Sequence, residues 1–369
     1  MDSESSVSLS PVLITGGCGF IGFHLTQALL ASDPNCQIHV LDIKTDSNRV
    51  HGVTYHTGDV SSLPQVKAAF AAAAPKTVFH MACPQATSQQ PEAVYREACV
   101  TGTHNTLRAA GDAAVQAFVF TATSSLIHDH ESDMYDADES WPILRYPEQK
   151  CAYSLAKVEA EDEARGANRR HGDMLTASIW PAAVFGPRDN ALTGNVVKSA
   201  RAGRGNIQIG PGTNLYNVTY VSNAADAHIL AAQALVRAYG KPPLPPGERV
   251  EGEAFIITND EIVNFWDFHR AIGASAGYPV KPQDIKVVPI WLAMLIAGIS
   301  EWITWILTLG RRKPAYSRWA LRLTTINRTL KCDKAKRLLG YKPRVSIDEG
   351  LAISGQWYRN QGVHVHKTD

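Results

Sequence analysis

A glycine-rich turn near the N-terminus constrains the fold of this chain more than any other feature. The apolar run Val12–Thr15 leads directly into Gly16-Gly17-Cys18-Gly19-Phe20-Ile21-Gly22, and an apolar helical pattern follows. Between a strand and a helix, such glycines allow a sharp turn, close approach of a pyrophosphate and close packing of the helix on the sheet. The positive end of the helix then faces the phosphates. The sequence therefore predicts a dinucleotide-binding turn at Gly16, Gly19, Phe20, Ile21 and Gly22.

Acidic residues after the next two predicted strands indicate which dinucleotide is bound. Asp42 lies twenty residues beyond Gly22. A carboxylate at this point accepts hydrogen bonds from the adenosine ribose and repels a 2′-phosphate. Because Ile43 offers such a phosphate no cation, the sequence favours NAD over NADP. Asp59, which precedes Val60, is a candidate contact for the adenine, and a helix cap is its alternative interpretation.

The first 180 residues alternate short β-branched runs with longer helical patterns. The predicted strands are Val12–Thr15, Gln37–Asp42, Val53–Thr57, Thr77–His80, Ala117–Thr121 and Thr176–Ile179. The predicted helices are Phe20–Ser32, Leu63–Ala73, Glu92–Ala114 and Gln149–Arg170. This alternation predicts an α/β fold with a Rossmann-type, doubly wound parallel sheet. We expect the NAD-binding domain in residues 1–185, with some later segments returning to it, and a smaller C-terminal substrate-binding domain in residues 186–369.

A tyrosine and a lysine form a candidate proton-transfer pair. Tyr153 and Lys157 are four residues apart on a predicted helix and therefore share one face. The ordinary pKa of tyrosine is about 10, but a nearby cation favours the phenolate and lowers that pKa. Thr123, Ser124 and Ser125 follow the fifth predicted strand, and a hydroxyl there can bond the reacting oxygen of a substrate. The pattern predicts acid–base chemistry on a substrate hydroxyl group.

Taken together, these segments resemble the extended short-chain dehydrogenase/reductases. The resemblance is strongest to the 3β-hydroxysteroid dehydrogenase branch, especially the decarboxylating sterol-4α-carboxylate 3-dehydrogenases. It covers nearly the whole chain and depends on the segments Thr15–Gly22, Tyr153–Glu161, Pro181–Asp189, Thr219–Ala232, Gly252–Gly273 and Asp333–Leu351. The resemblance implies NAD-dependent oxidation of a 3β-hydroxyl on a steroid, sterol or terpenoid ring, with loss of a 4-carboxylate where the substrate carries one.

The resemblance also implies roles for individual residues. Tyr153 would be the acid/base, and Lys157 would bind the nicotinamide ribose. Thr123 aligns best with the catalytic serine or threonine of the family, with Ser124 and Ser125 as alternatives. The remaining implied cofactor contacts are Met81, Ala82, Pro181 and Val184. His80, just before Met81, is interpreted as a structural histidine.

Two departures from the family pattern leave the substrate open. Cys99 stands where the family usually has Asn, and Trp180 stands where Arg is usual. Both changes remove polar or charged groups near the site. The alternatives are another extended member, such as a nucleotide-sugar epimerase or a flavonoid or cinnamoyl reductase, and a non-catalytic NAD-binding sensor.

One apolar segment favours a lipophilic substrate. Val287–Leu309 contains a single charged residue, Glu301, and is long enough to cross a membrane. Its polar residues fall on one helical stripe, with Trp302 and Trp305 outside it. This arrangement favours a helix that lies in a membrane interface or covers an apolar substrate pocket.

The net charge of the whole chain is close to zero, but the charges are unevenly distributed along the sequence. The chain carries 36 basic and 35 acidic residues, for a net charge of +1, yet Trp302–Ile347 holds twelve basic residues and only Asp333 as an acid. Arg311, Arg312 and Lys313 directly follow the apolar segment, which predicts peripheral contact with anionic lipid. No nucleic-acid-binding motif accompanies the tract, so we expect no nucleic-acid partner. By analogy with the family, a homodimer is expected.

Composition also bears on the compartment. The six cysteines show no paired spacing, and the polar, acidic N-terminus is unlike a signal peptide. We expect unpaired cysteines, no metal site and a solvated His364–His366 tail. The expected location is cytoplasmic, on the cytosolic face of the endoplasmic reticulum if the apolar segment contacts a membrane.

Overall fold

The computed structural model describes residues 7–88, 90–170, 172–308 and 317–365. Its strands are β1 (Val12–Thr15), β2 (Ile38–Asp42), β3 (Thr54–Thr57), β4 (Thr77–His80), β5 (Ala117–Thr121), β6 (Met134–Ala137), β7 (Leu175–Pro181), β8 (Ala183–Phe185), β9 (Ile207–Ile209), β10 (Leu215–Tyr220), β11 (Glu253–Ile257), β12 (Ile262–Asn264), β13 (Lys286–Val288) and β14 (Arg328–Leu330).

Its helices are α1 (Phe20–Ser32), α2 (Leu63–Ala73), α3 (Glu92–Tyr95), α4 (Gly102–Asp112), α5 (Ala152–Gly166), α6 (Thr193–Arg201), α7 (Val221–Ala238), α8 (Phe265–Ser275), α9 (Ile290–Thr308), α10 (Arg318–Leu323), α11 (Asp333–Leu339) and α12 (Ile347–Val365). The predicted helix over Glu92–Ala114 is divided, because a π-helical turn at Arg96–Thr101 separates α3 from α4. Such turns often occur at functional sites.

Seven parallel strands form the main sheet in the order β3-β2-β1-β4-β5-β7-β11. The chain builds outward from β1 through β2 and β3, then returns to place β4 on the other side of β1. This reversal creates a crevice at the carboxyl ends of β1 and β4, where open α/β sheets bind their ligands. The predicted doubly wound parallel sheet is confirmed.

Helices cover both faces of this sheet and bury its apolar side chains. Leu25 and Leu29 of α1, with alanines of α7, pack on one face. Phe70 of α2 and Val158 of α5 pack on the other. Helix α7 and strand β11 come from beyond residue 185, and they pack on and join the main sheet.

A second sheet has the order β12-β10-β14-β6, and β8 pairs with β10. Its core contains Phe185, Tyr216, Phe265 and Phe268. Strands β6 and β8 precede residue 186 and still belong to this sheet, so the domain boundary is not a single point in the chain. The second sheet is therefore built from strands supplied by several parts of the sequence.

Helix α9 is long and apolar enough to cross a membrane by length and composition. Only Ala293 and Ala297 in it are buried. Trp302 is 71% exposed and Leu307 77% exposed. Within the predicted polar stripe, Glu301 accepts a hydrogen bond from Arg318 Nε at 2.8 Å, which holds α10 against α9. Arg311, Arg312, Lys313 and His366 lie outside the described residues.

Most of the described basic tract faces acidic groups of the body of the protein. The pairs are Arg318–Glu301, Lys331–Asp136, Lys334–Glu253, Lys336–Asp260 and Arg344–Asp226. The charge asymmetry along the sequence is therefore largely removed by packing, because the chain lays this tract across the acidic part of the molecule.

The expectation of unpaired cysteines is wrong for two of the six. Cys83 and Cys99 form a disulfide with Cα atoms 5.5 Å apart. The fold brings the loop after β4 against the π-helical turn, a contact that cysteine spacing does not reveal. Cys18, Cys36, Cys151 and Cys332 are free. Among the described residues, no group of three histidine, cysteine or acidic side chains is placed to hold a metal ion.

Candidate active site

The glycine-rich turn forms a cradle with no room for side chains. Gly16 has φ +73°, and a Cβ added to it would lie 2.8 Å from Ala82 Cα. A Cβ on Gly22 would lie 2.5 Å from the Gly16 carbonyl oxygen. Gly19 is exposed and directly precedes α1, so the backbone N–H groups of the helix start face an open space. Phe20 and Ile21 begin α1, and Met81 and Ala82 form the opposite wall.

Asp42 lies beside this cradle at the end of β2. Its Oδ2 accepts a hydrogen bond from the Cys18 N–H at 3.0 Å, and its Oδ1 accepts one from the Lys44 N–H at 3.1 Å. Burial raises the pKa of Asp42, and these N–H groups oppose that rise. The Ile43 side chain is 63% exposed and offers no cation. The cradle and the carboxylate together fit a nicotinamide adenine dinucleotide.

Asp59 and Val60 lie farther along the same edge. Asp59 is exposed, and its Oδ1 accepts a hydrogen bond from the Ser61 N–H at 2.8 Å. This bond stabilises the turn that precedes α2, but Asp59 does not cap the helix, because the N-cap residue of α2 is Ser62. Val60 is buried and packs against Gly102 of α4, so its side chain supports the wall of the site.

Tyr153 and Lys157 share one side of α5, and Thr123 faces them from the end of β5. Burial raises the pKa of Tyr153, and the Thr123 hydroxyl is close enough to oppose this rise. Lys157 Nζ donates a hydrogen bond to the Thr121 carbonyl at 2.8 Å and lies 4.6 Å from the centroid of the Phe120 ring. The structure therefore brings together the hydroxyl, the phenol and the ammonium that the sequence singled out.

The expected effect of Lys157 on Tyr153 is corrected by this geometry. Burial dominates and raises the pKa of Tyr153, because the lysine ammonium faces the Thr121 carbonyl. Burial also lowers the pKa of Lys157 to about 7, and the charge of Glu161 opposes that shift. The uncharged form of each group is thus favoured by its surroundings.

The three neighbouring hydroxyls have different positions. Thr123 Oγ1 and Ser125 Oγ are 2.7 Å apart, and Thr123 Oγ1 also accepts a hydrogen bond from the Ser125 N–H. Ser124 begins the short 3-10 turn Ser124–Ile127. Thr123 is therefore the hydroxyl nearest Tyr153, and Ser125 holds it in place.

His80 is fully hydrogen-bonded in the interior. Its Nδ1 is 2.6 Å from Thr15 Oγ1, and its Nε2 is 2.9 Å from Thr103 Oγ1. Burial lowers the pKa of His80 to about 3, so the ring is neutral. The histidine ties β4 to β1 and α4, which agrees with the structural interpretation.

Pro181 and Val184 lie where the main sheet meets the second sheet. Pro181 ends β7 and is buried, whereas Val184 in β8 is partly exposed. Strand β7 pairs with β5, with Ile179 in register with Thr121, and Val184 pairs with Thr219 of β10.

Sequence reasoning missed Tyr95 and Glu161. The Tyr95 ring packs edge-on against Tyr153 with centroids 5.6 Å apart, beside the Cys83–Cys99 disulfide. Glu161 is fully buried one helical turn beyond Lys157, and neither of its oxygens forms a well-directed hydrogen bond with a described residue. Burial raises the pKa of Glu161 to about 7, and nearby Ser178 is the largest of the opposing influences.

A signal for Glu161 was present in the sequence. The spacing of Lys157 and Glu161 is that of neighbours on a helix face. The Trp180 side chain is also close enough to Glu161 to oppose the rise of its pKa. Trp180 stands where the family usually has Arg, so the carboxyl group lacks that cation. No comparable sequence signal indicated Tyr95, because its position depends on the π-helical turn.

A second group missed by sequence reasoning borders the site beyond Ser154. His130 Nε2 lies 3.2 Å from Ser154 Oγ, and the His130 ring packs on Trp319 with centroids 5.4 Å apart. Arg328, which belongs to the second sheet, lies near His130. These residues extend the site from α5 toward the smaller domain.

Comparison with known proteins identifies the family of the chain. A sequence model described as the 3-beta hydroxysteroid dehydrogenase/isomerase family matches residues 13–287. The decarboxylating sterol-4-alpha-carboxylate 3-dehydrogenase of Saccharomyces cerevisiae is 33% identical over 359 residues, which is 95% of this chain and 98% of that protein. The Homo sapiens protein of the same name is 30% identical over 348 residues, which is 94% of this chain and 88% of that protein.

Solved structures share the fold at lower identity. A UDP-glucose 4-epimerase from Thermotoga maritima with UDP-glucose has a TM-score of 0.71 and 20% identity, over 95% of this chain and 99% of that one. A dTDP-glucose 4,6-dehydratase from Bacillus anthracis in complex with NAD has a TM-score of 0.67 and 17% identity, over 95% and 97%. At these identities the similarity establishes the fold alone.

Proposed function

The chain belongs to the 3-beta hydroxysteroid dehydrogenase/isomerase family, and we propose that it oxidises a 3β-hydroxyl on a steroid, sterol or terpenoid ring to the ketone with NAD⁺. The observation that carries this proposal is the placement of Tyr153 and Thr123 at one edge of a sheet whose switch point holds the Gly16–Ala82 cradle. The names of the yeast and human relatives support a sterol-like substrate.

The chemistry removes one proton and one hydride from the alcohol. Thr123 orients the substrate hydroxyl, and Tyr153 as phenolate takes its proton. A bound NAD⁺ supplies the acceptor for the hydride from the ring carbon, so the products are the ketone, NADH and a proton. Lys157 orients the cofactor ribose and stabilises the phenolate once the ammonium turns from Thr121 toward the site.

Loss of CO₂ needs no further dedicated residue. If the carbon next to the reacting alcohol carries a carboxylate, oxidation gives a β-keto acid. The bond to the carboxylate then breaks, CO₂ leaves, and the electron pair forms an enolate that takes up a proton. We propose this step for substrates that carry the 4-carboxylate.

A substrate panel tests the activity. Purified protein is incubated with NAD⁺ and 3β-hydroxysteroids with or without a 4α-carboxylate, with terpenoid alcohols and with UDP-glucose. We expect NADH formation with a lipophilic ring alcohol, and mass spectrometry should show the ketone. The proposal would be overturned if none of the ring alcohols gave NADH, or if UDP-glucose were converted to another UDP-sugar.

We propose NAD rather than NADP as the cofactor, because the Asp42 carboxylate would bind the ribose hydroxyls and repel a 2′-phosphate, and Ile43 supplies no cation. The expected ratio of kcat/KM for the two cofactors is at least about tenfold. The variant Asp42→Ala should narrow this ratio, and Asp46→Ala on the neighbouring loop serves as its control. An unchanged ratio in Asp42→Ala would contradict the assignment.

We also propose that the protein is cytoplasmic and lies on the cytosolic face of the endoplasmic reticulum through α9. The exposed face of α9 includes Trp302, Trp305 and Leu307. Apolar side chains of this size enter the boundary between lipid headgroups and acyl chains. Arg311–Lys313 follows in the sequence and would add attraction to anionic lipid.

Liposome flotation tests this contact. We expect the protein to float with vesicles that contain phosphatidylserine. The double variant Trp302→Ser/Leu307→Ser should remain at the bottom of the gradient, whereas Ile262→Ser, at an exposed apolar residue on β12, should behave as the parent protein. Absence of binding by the parent protein would refute the contact.

A homodimer through α4 and α5 stays a prediction from the family resemblance. Sedimentation equilibrium should give twice the 40.2 kDa chain mass. A monomer at micromolar concentration would contradict it.

A further inference from the structure

Arg328 differs from the other basic residues of its tract. It begins β14 and lies in register with Tyr216 of β10 on one side and Met134 of β6 on the other. Its guanidinium carbon is 5.9 Å from the centroid of the Tyr216 ring. Within the described ranges, it has no ion pair with an acidic side chain, and its buried Nε has no hydrogen-bond acceptor.

Two further polar atoms near Arg328 are also buried and unpartnered. They are the hydroxyl oxygen of Tyr216 and Nδ1 of His130. His130 is neutral, because burial, together with the nearby His128 and Arg328, lowers its pKa to about 3. The cluster therefore holds three groups able to donate hydrogen bonds and one uncompensated positive charge.

Such a cluster is costly to bury without a partner. Each unsatisfied buried polar group destabilises the folded protein, and a buried unpaired charge destabilises it more. The guanidinium fork matches the two oxygens of a carboxylate, and a phenol hydroxyl can donate to the same group. A carboxylate ligand would thus satisfy both the charge and the unpartnered atoms.

The cluster is connected to the catalytic helix. His130 bonds Ser154, which follows Tyr153 on α5, and Trp319 packs on the other face of His130. Arg328 is partly exposed, although its Nε is enclosed. Contacts through His130 and Ser154 therefore connect Arg328 to the helix that carries Tyr153.

We propose that Arg328, with Tyr216 and His130, forms a subsite that binds a carboxylate of the lipophilic substrate. This inference rests on the proposed function and narrows its substrate class to acidic ring alcohols. The carboxylate has two possible sources. It is carried either by the carbon next to the reacting alcohol or by the far end of the ring system or its side chain.

Two matched pairs of substrates distinguish these sources. One pair is a 3β-hydroxysterol 4α-carboxylate and its methyl ester, and the other is 3β-hydroxy-5-cholenoic acid, with a side-chain carboxylate, and its methyl ester. For at least one pair, the parent protein should have a KM for the acid roughly 10–100 times below that for the ester, as a charged hydrogen-bonded pair provides. The pair that shows the preference identifies the position of the carboxylate.

The variant Arg328→Met should remove this preference by raising the KM for the acid while leaving the KM for the ester within about threefold. Arg328→Lys should restore part of it, because lysine keeps the charge without the fork. Tyr216→Phe, which keeps the ring and removes the unpartnered hydroxyl, should raise the KM for the acid by a smaller factor. Arg322→Met is the matched control, since Arg322 donates to the Glu131 carbonyl on the surface.

The outcomes separate this proposal from the oxidation itself. Equal affinity for acid and ester in both pairs, or an equal loss for both in Arg328→Met, would overturn the subsite. If no ring alcohol is oxidised, the proposed function fails, and calorimetric titration of acid against ester in the presence of NAD⁺ still decides the subsite. Preferential binding of the acid would support it, and equal binding would refute it.

Discussion

Helix α5 and the second sheet each enclose one cation, and the two cations differ in their partners. Lys157 on α5 donates to the Thr121 carbonyl and has Glu161 one turn away. Arg328 on β14 has no acidic partner among the described residues. The first cation therefore has a hydrogen-bond acceptor and a nearby carboxyl group within the chain, whereas the second has no acidic partner and no acceptor for its Nε among the described residues. This difference is the reason why we propose a ligand at Arg328 and none at Lys157.

The largest expected effect lies in the catalytic region. Tyr153→Phe removes the group that takes the substrate proton, so kcat should fall by at least about 1,000-fold, within the range of general acid–base catalysis. The KM should change little, because the ring and its contact with Tyr95 are kept. NADH formation measures both constants, and Tyr135→Phe at an exposed position should retain full activity. Parent-like turnover in Tyr153→Phe would refute the mechanism.

Replacing each cation by methionine should change the free energy of unfolding in opposite directions. Lys157→Met removes the buried hydrogen bond to the Thr121 carbonyl and leaves the Glu161 carboxyl group with Arg165, whose Nε is 3.9 Å from Oε1, so it should lower the free energy of unfolding by about 2 kcal/mol. Arg328→Met removes a charge that has no partner and should raise it by about 1 kcal/mol. Urea unfolding of ligand-free protein at pH 8 gives both values. If both variants changed the free energy of unfolding in the same direction, the difference between the two cations would be contradicted.

The pH dependence of stability and of kcat should reveal the role of Glu161. Because its pKa in the folded protein is raised from 4.5 to about 7, stability falls as pH rises through that interval, and Glu161→Gln should remove this slope. Loss of the carboxylate also disfavours the charged form of Lys157. The alkaline rise of kcat should therefore shift to higher pH, with kcat about tenfold lower at pH 8.

The control for this effect is Glu159→Gln on the same helix. Glu159 pairs with Arg96 at the surface, so the variant should keep the parent pH profile. If both variants lower kcat equally at every pH, Glu161 has only a structural role.

The smallest expected effect concerns the Cys83–Cys99 disulfide. Thiol titration of denatured, unreduced protein should count four free thiols, and prior reduction should raise the count to six. Cys99→Ser should change kcat by less than about threefold, because the pair packs behind Tyr95 and touches no reacting atom. Six thiols without reduction would show that the cysteines are not paired.

Much of the fold could be predicted from local patterns. The strand Val12–Thr15 and the helix Phe20–Ser32 have the predicted bounds, because a glycine turn joins two strongly apolar elements. The helix over Glu92–Ala114 could not be predicted in detail, since helical periodicity does not reveal a π-helical turn. The contribution of β6 to the second sheet was also hidden, because strand pairing depends on distant residues.

The candidate site divides in the same way. Gly16, Asp42, Tyr153 and Lys157 lie in short motifs whose spacing carries a chemical meaning. Arg328 occurred in a run of basic residues, and nothing in the sequence distinguished it from Lys334 or Lys336. Only packing showed that these lysines face acids while Arg328 faces a phenol and a neutral histidine.

Short local motifs were enough to predict the doubly wound sheet, the dinucleotide-binding turn and the helix with Tyr153 and Lys157, because each depends on residues within a few turns or strands of one another. Tertiary packing was needed to show which cations are neutralised, which cysteines meet and which polar atoms remain without partners. Those properties depend on the distance between groups that are far apart in the chain, and on the loss of water between them.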